Sequence, residues 1–209
     1  MSNMNKKQQV LVLHGGTTFE TQEEYLQFLK ECPIEIEKLR PRLDWKNSLQ
    51  ERLEDDFDVL QPRMPNGTNA QYLEWSIWFE KILNLLDDNI ILIGHSLGGI
   101  FLAKYLSENK LSKSIQALFL VAAPFNDEGM SESLTSFKIS DPLDQLDQQV
   151  GDIFLYYSKD DEVVPFTHAN LYKEVLPRAV INSFEDRGHF KQANFPEIVE
   201  DIKNLSDVE

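Results

Sequence analysis

Residues 89–99 read NIILIGHSLGG: an apolar run, Ile90 to Ile93, followed at once by Gly94-His95-Ser96-Leu97-Gly98-Gly99. Such a run is what a strand buried on both faces of a parallel sheet requires. From Leu97 to Glu108 the apolar residues return to helical spacing. The chain must therefore pass from strand to helix within a few residues around Ser96. Gly94-x-Ser96-x-Gly98 is the G-x-S-x-G pattern, in which a serine stands on a tight strand-to-helix turn with its hydroxyl lifted clear of the sheet. Side chains two residues before and after that serine would collide with the facing chain, so glycine is needed at both places. The helix that starts there presents free N–H groups and a dipole to any nearby negative charge. With 9 glycines in 209 residues, a chance match to the pattern is expected well under once. A phosphate-binding loop is excluded, because the G-x-x-x-x-G-K-[ST] lysine is missing.

Working outward, the same alternation repeats. Val10–Leu13 is a short apolar β-run ending in His14-Gly15-Gly16-Thr17, and polar periodic segments follow from about Thr21 to Glu54, broken near Cys32-Pro33 and Arg40-Pro41. Phe57–Leu60 reads as a second strand. Ala70–Leu86 has helical spacing through Leu73, Ile77, Ile82, Leu83 and Leu86, and its aromatics Trp75, Trp78 and Phe79 read as core. Ala117–Ala122, Ile153–Tyr157 and Arg178–Phe184 read as further strands, with helices over about Thr167–Leu176 and Pro196–Asn204. Strands alternating with helices imply an α/β fold: a mostly parallel sheet with helices on both faces, whose ligands bind beyond the carboxyl ends of the strands. One domain over residues 1–209 is expected, with a flexible N-terminus over 1–8.

The net charge is −15 and the pI about 4.6, which argues against nucleic acid or an anionic membrane as partner. The single cysteine, Cys32, permits no internal disulfide, and a reducing cytoplasm is the expected setting. Cys32 itself reads as a buried or inert thiol. No apolar run reaches membrane-spanning or signal-peptide length. The histidines are scattered, with no H-E-x-x-H or Cys/His cluster, and no G-x-G-x-x-G appears, so neither metal nor dinucleotide cofactor is expected.

A serine hydroxyl needs a base in reach, and the base needs an acid to orient it. Of the four histidines, His14 reads as shaping the loop after the first strand. His95 is expected to point away into the turn or core, and His168 to be a surface or capping residue. His189, in FEDRGHFKQ just after the last strand, is where a partly exposed general base belongs. For the acid, IFLYYSKDDEVVPF offers Asp160, Asp161 and Glu162. Of the two oxyanion donors that acyl chemistry needs, the turn itself supplies the N–H of Leu97.

These residues together resemble the α/β-hydrolase family over nearly the whole chain, Val10 to about Leu205. The order Ser96, acid, His189 is that family's order. Members typically show D-x-x-V-P at the acid, which the resemblance carries to Asp161, four residues before Pro165. It also implies that the loop after the first strand gives the second oxyanion donor, at Gly16 or Thr17, with Gly16 favoured. The short length resembles the small, lidless serine hydrolases of the retinoblastoma-binding protein nine type. Larger relatives insert a lid where this chain has residues 124–150, a stretch that can hold a turn or short helix but hardly a cap. Phe125 and Met130 could line an open site there, though core packing explains them as well.

Two classes of function follow. One is a serine hydrolase acting on a small-molecule acyl substrate, a short carboxylic ester above all, or an acyltransferase using an alcohol as acceptor. The other is a catalytically silent binding or partner-recognition protein on the same fold. The completeness of the set Ser96, Asp161, His189, Leu97 and Gly16 favours the first.

Overall fold

The computed structural model describes residues 6–40 and 43–205. Most of the expected flexible N-terminus, residues 1–5, and Pro41 of the expected break lie outside them. The first strand begins earlier than the apolar run suggests: β1 is Gln8–Leu13. It is followed by α1 (Gln22–Glu31), α2 (Trp45–Leu53), β2 (Phe57–Leu60), α3 (Tyr72–Leu83), β3 (Ile90–His95) and α4 (Leu97–Glu108). The second half runs β4 (Ile115–Val121), α5 (Asp144–Gln149), β5 (Val150–Ser158), α6 (Thr167–Val175), β6 (Val180–Phe184) and α7 (Pro196–Asn204). The strands form one six-stranded sheet in the order β2-β1-β3-β4-β5-β6, every neighbour pair parallel.

The strand period of two divides the apolar residues between two cores. Leu11, Leu13, Ile90, Leu92, Leu118, Leu120 and Leu155 face α3, α4 and α6, while Val10, Val12, Ile91, Ile93, Phe119, Val121 and Tyr156 face α2 and α7. All six residues of β3 are buried, as a central strand covered on both faces demands. α4 is equally buried, with Glu108 its one residue outside the buried set. It passes under the sheet's centre and aims its first turn at the carboxyl edge.

Two readings of apolar pattern are corrected. In α3 the inner face is Trp75, Phe79 and Leu83, with Leu86 beyond its end, whereas Leu73, Ile77 and Trp78 are 70%, 50% and 43% exposed. Two apolar stripes offset by two residues compete on this helix, and the one carrying Trp75 and Phe79 removes more area from water. Cys32 is exposed, not buried, because α1 lies on the outside with none of its residues buried.

Residues 124–150 hold a 3-10 turn at Thr135–Phe137 and the six-residue α5, and no cap domain. The stretch is fastened down. His168 is fully buried, not at the surface: its Nδ1 accepts from the Phe125 N–H at 3.0 Å and its Nε2 donates to the Glu128 carbonyl at 2.9 Å. Tyr172 donates to the Pro124 carbonyl at 2.9 Å, and Lys104 to the Lys138 carbonyl at 2.8 Å. A helix start spaced like a cap concealed an imidazole whose two ring nitrogens are both used.

Candidate active site

The turn between β3 and α4 is shaped by clearances that admit no side chain. A Cβ on Gly94 would lie 2.5 Å from the Gly98 carbonyl oxygen and 2.6 Å from Gly99 Cα. One on Gly98 would lie 2.6 Å from the His14 carbonyl oxygen at the end of β1. The residue between them, Ser96, has φ 54° and ψ −121°, outside the regions open to ordinary L-residues. Such a conformation costs on the order of 1–3 kcal/mol and persists only where the surroundings impose it. Here Ser96 N–H donates to the Val121 carbonyl at 2.9 Å, and the Ser96 carbonyl accepts from Gly99 N–H at 2.8 Å. The side chain faces the loop after β1, where a Cβ on Gly15 would stand 3.6 Å from Ser96 Oγ.

Ser96 opens into a cavity of about 490 Å³ whose walls come largely from loops along the carboxyl edge, with His95, Leu97 and Val163 beside them. His14 to Thr18 follow β1, Asp44 and Lys46 flank the start of α2, Met130 and Glu132 to Leu134 belong to the 124–150 stretch, and His189 and Lys191 follow β6. Met130 lines the cavity, while Phe125 packs edge-on against Tyr172, ring centres 4.9 Å apart, in the core.

His189 reaches the cavity from a turn in which Gly188 has φ 49° and Phe190 φ 51°. Its Nδ1 lies 2.8 Å from Asp161 Oδ2, and the two side chains are 8% and 1% exposed. The other oxygen, Asp161 Oδ1, accepts from Val163 N–H at 2.8 Å and Val164 N–H at 3.0 Å. The carboxylate is therefore fixed, satisfied and buried, as a buried charge must be. A carboxylate can only accept, so Nδ1 carries the proton and Nε2 is the ring's free acceptor. Asp160 does not touch the ring. Its Oδ1 accepts from Gly188 N–H at 2.8 Å and from Ser158 Oγ, which makes it more than the solvated loop charge its position suggests. Glu162 is exposed.

The remaining histidines are bound elsewhere. His14 Nε2 accepts from Met64 N–H at 2.9 Å, its Nδ1 lies 2.6 Å from the Gly15 carbonyl oxygen, and its ring meets Trp75 edge-on. His95 is 7% exposed, but it does not simply enter the core: its Nε2 donates to the His189 carbonyl at 3.0 Å, and the residue lines the cavity. Burial, then the charges of Lys46 and His189, holds the His95 pKa well below the usual imidazole value. Burial also lowers that of His168.

Both residues are therefore harder to protonate in the folded chain than in the unfolded one. Below about pH 6.5 the unfolded state binds protons more readily than the native state, and stability falls as the pH falls. Urea unfolding at about pH 7 and pH 5.5 is expected to show this loss, and His168→Gln to reduce its slope. A wild-type midpoint that did not move across this window would contradict it.

At the β1 loop, Thr17 N–H donates to the Gly67 carbonyl at 3.0 Å. Among the described residues Gly16 N–H has no such acceptor. A Cβ on Gly16 would stand 2.7 Å from the Gly67 oxygen and 3.0 Å from Leu97 Cδ2, so this loop and the start of α4 are in close contact. Leu97 is the first residue of α4, and its N–H has no acceptor within the helix. Sequence reasoning passed over Trp45, Lys46, Glu132 and Lys191, none of which belongs to a recognisable motif. Asp44 alone carried a signal, the Asp44-x-x-Asn47 capping box that starts α2. Among the described residues no group of three or more His, Cys, Asp or Glu is placed to hold a metal, and no helix is long and apolar enough to cross a membrane.

Comparison with known proteins agrees with this geometry. The chain is similar to YdeN, a putative hydrolase of Bacillus subtilis, at 25% identity over 70% of this chain and 77% of that protein. The crystal structure of the B. subtilis ydeN product superposes with a TM-score of 0.75 at 18% identity, over 96% of this chain and all of that one. A meta-cleavage product hydrolase, CumD, superposes with a TM-score of 0.64 at 14% identity over 98% of this chain and 92% of its own. The fold is that of the α/β hydrolases. Serine hydrolase RBBP9 of Rattus norvegicus is 29% identical over 153 residues, 71% of this chain and 78% of its own. The model of the serine hydrolase family matches residues 39–202, which hold the Ser96 turn, Asp161 and His189, and the chain belongs to that family.

Proposed function

We propose that the chain cleaves a small carboxylic ester through an acyl-enzyme, with Ser96 as nucleophile, His189 as general base and acid, and Asp161 as the group that orients it. The observation that carries this reading is the buried Asp161–His189 hydrogen bond, 2.8 Å, which leaves Nε2 free in the cavity that holds the strained Ser96. His189 Nε2 takes the Ser96 proton as Oγ attacks the carbonyl carbon. The oxyanion formed is held by the N–H groups of Leu97 and Gly16, for which the described residues supply no backbone acceptor. Thr17 is set aside because its N–H is spent on Gly67. The intermediate collapses, the alcohol leaves with the proton from His189, and an ester to Ser96 remains. Water then attacks with His189 as base, and the acid is released. Losing one oxyanion donor typically costs about a hundred- to a thousandfold in turnover.

A short ester is favoured by the modest cavity and by residues 124–150, which are pinned to α4 and α6 and build no cap. A reducing, cytoplasmic setting suits the exposed thiol of Cys32 and is part of the same reading. The test is hydrolysis of p-nitrophenyl esters from acetate to decanoate, alongside labelling with a fluorophosphonate. Turnover that is highest for the short acyl chains, with the label found on Ser96, is expected. Absence of both turnover and label would sink the reading.

A further inference from the structure

The segment that carries His189 is held through its backbone from three separate elements. At the end of β5, Ser158 Oγ accepts from Arg187 N–H at 2.9 Å and Asp160 Oδ1 accepts from Gly188 N–H at 2.8 Å. At the start of α2, Trp45 Nε1 donates to the Phe190 carbonyl at 3.0 Å and Trp45 N–H to the Gln192 carbonyl at 2.9 Å. Between these two sets, the carbonyl of His189 itself accepts from His95, the residue next to Ser96. No other of these bonds joins the segment of the base directly to the turn of the nucleophile.

We propose that His95 is a positioning residue: through its Nε2–H it ties the backbone of His189 to the Ser96 turn and so sets the approach of the base to the nucleophile, with Trp45 fixing the same segment at Phe190 and Gln192. The inference rests on the roles proposed above for Ser96 and His189. The geometry suits the task. The His95 ring stands 5.0 Å from the His189 ring and 6.4 Å from that of Trp45, which it meets edge-on at 88°. Packing thus fixes the ring, and the ring fixes the carbonyl. A backbone carbonyl can only accept, so the donor must keep a proton on Nε2 throughout the cycle. Neutrality matters as well, because a permanent cation here would oppose the imidazolium that His189 becomes. The charged groups around the two rings are Asp161, Lys46 with its partner Asp44, Lys191 and Glu132. The cations among them, together with burial, keep His95 uncharged.

The experiment uses the full chain, p-nitrophenyl acetate as substrate and a fluorophosphonate as probe of Ser96. His95→Phe keeps a ring against Trp45 and removes the donor; His95→Gln keeps a donor; Trp45→Phe keeps an aromatic ring but removes the Nε1–H together with part of the buried indole. His95→Phe is expected to lower kcat about ten- to a hundredfold with KM unchanged, as a small misplacement of a catalytic group does. His95→Gln should recover most of that loss, and Trp45→Phe should lower kcat by a smaller factor, again without moving KM. An equal defect in His95→Phe and His95→Gln, a change confined to KM, or a wild-type kcat in a folded His95→Phe would overturn the proposal. If His95→Phe shows no cooperative unfolding, the other two decide. Near wild-type kcat in His95→Gln with a reduced kcat in Trp45→Phe supports it, and an unchanged kcat in Trp45→Phe overturns it. A wild type that neither turns over nor takes the label defeats the hydrolase reading and this inference with it. An active wild type with an unaffected His95→Phe defeats this inference alone.

Discussion

Ser96→Ala is expected to lower kcat for p-nitrophenyl acetate by about ten-thousandfold or more and to abolish fluorophosphonate labelling, while leaving the fold intact. The hydroxyl is the attacking atom, and what remains without it is binding, the Leu97 and Gly16 donors and bulk water. Those groups sustain only a residual rate. Stability separates the chemical role from the architectural one. The strain at φ 54° lies in the backbone. Alanine keeps the Cβ and the strain, so its unfolding free energy should stay within about 0.5 kcal/mol of wild type. Ser96→Gly removes the Cβ and should be equally inactive but more stable by about 1 kcal/mol, since glycine adopts this conformation at little steric cost. Urea unfolding of both variants with the ester assay checks the pair. An alanine variant that keeps more than about 1% of wild-type kcat would remove Ser96 from the role of nucleophile.

The parts of the molecule legible in the sequence are those governed by local rules. Central strands such as Ile90–Ile93 must be apolar throughout, because both faces are covered, and the glycines at 94 and 98 stand where the backbone leaves no room. Both constraints act within one short window, so both can be read there. α3 was half legible. Its period announced a helix, but the choice between the Trp75 stripe and the Leu73 stripe depends on which offers more area to a neighbour absent from the window. His168 was misread for a related reason. A histidine at a helix start resembles a cap until the chain is folded and Phe125 and Glu128, some forty residues away, meet its two nitrogens. Trp45 carries no signal, since its importance lies in reaching residues 190 and 192, some 145 residues further along the chain.

The division of labour between two adjacent carboxylates is the sharpest case, and it leads to the second large effect. Asp161→Asn is expected to lower kcat by about ten-thousandfold at neutral pH, whereas Asp160→Asn should lower it by less than about tenfold. Asp161 uses both oxygens: Oδ1 for the N–H groups of Val163 and Val164, Oδ2 for His189 Nδ1. An asparagine can satisfy only one side. With its oxygen on the two backbone donors, its amide turns toward His189 and donates to Nδ1. The imidazole proton then moves to Nε2, and the ring can no longer accept from Ser96. Turned the other way, the amide faces two N–H groups and leaves buried donors unpaired, at a cost of about 1–3 kcal/mol. Asp160 has no such dilemma, because the asparagine oxygen can still accept from Gly188 N–H at an exposed site. Steady-state kinetics of the two variants, with urea midpoints to verify folding, decide the matter. A larger loss in Asp160→Asn than in Asp161→Asn would exchange the two roles. Comparable losses would mean that holding Gly188 in place matters as much to His189 as fixing its tautomer.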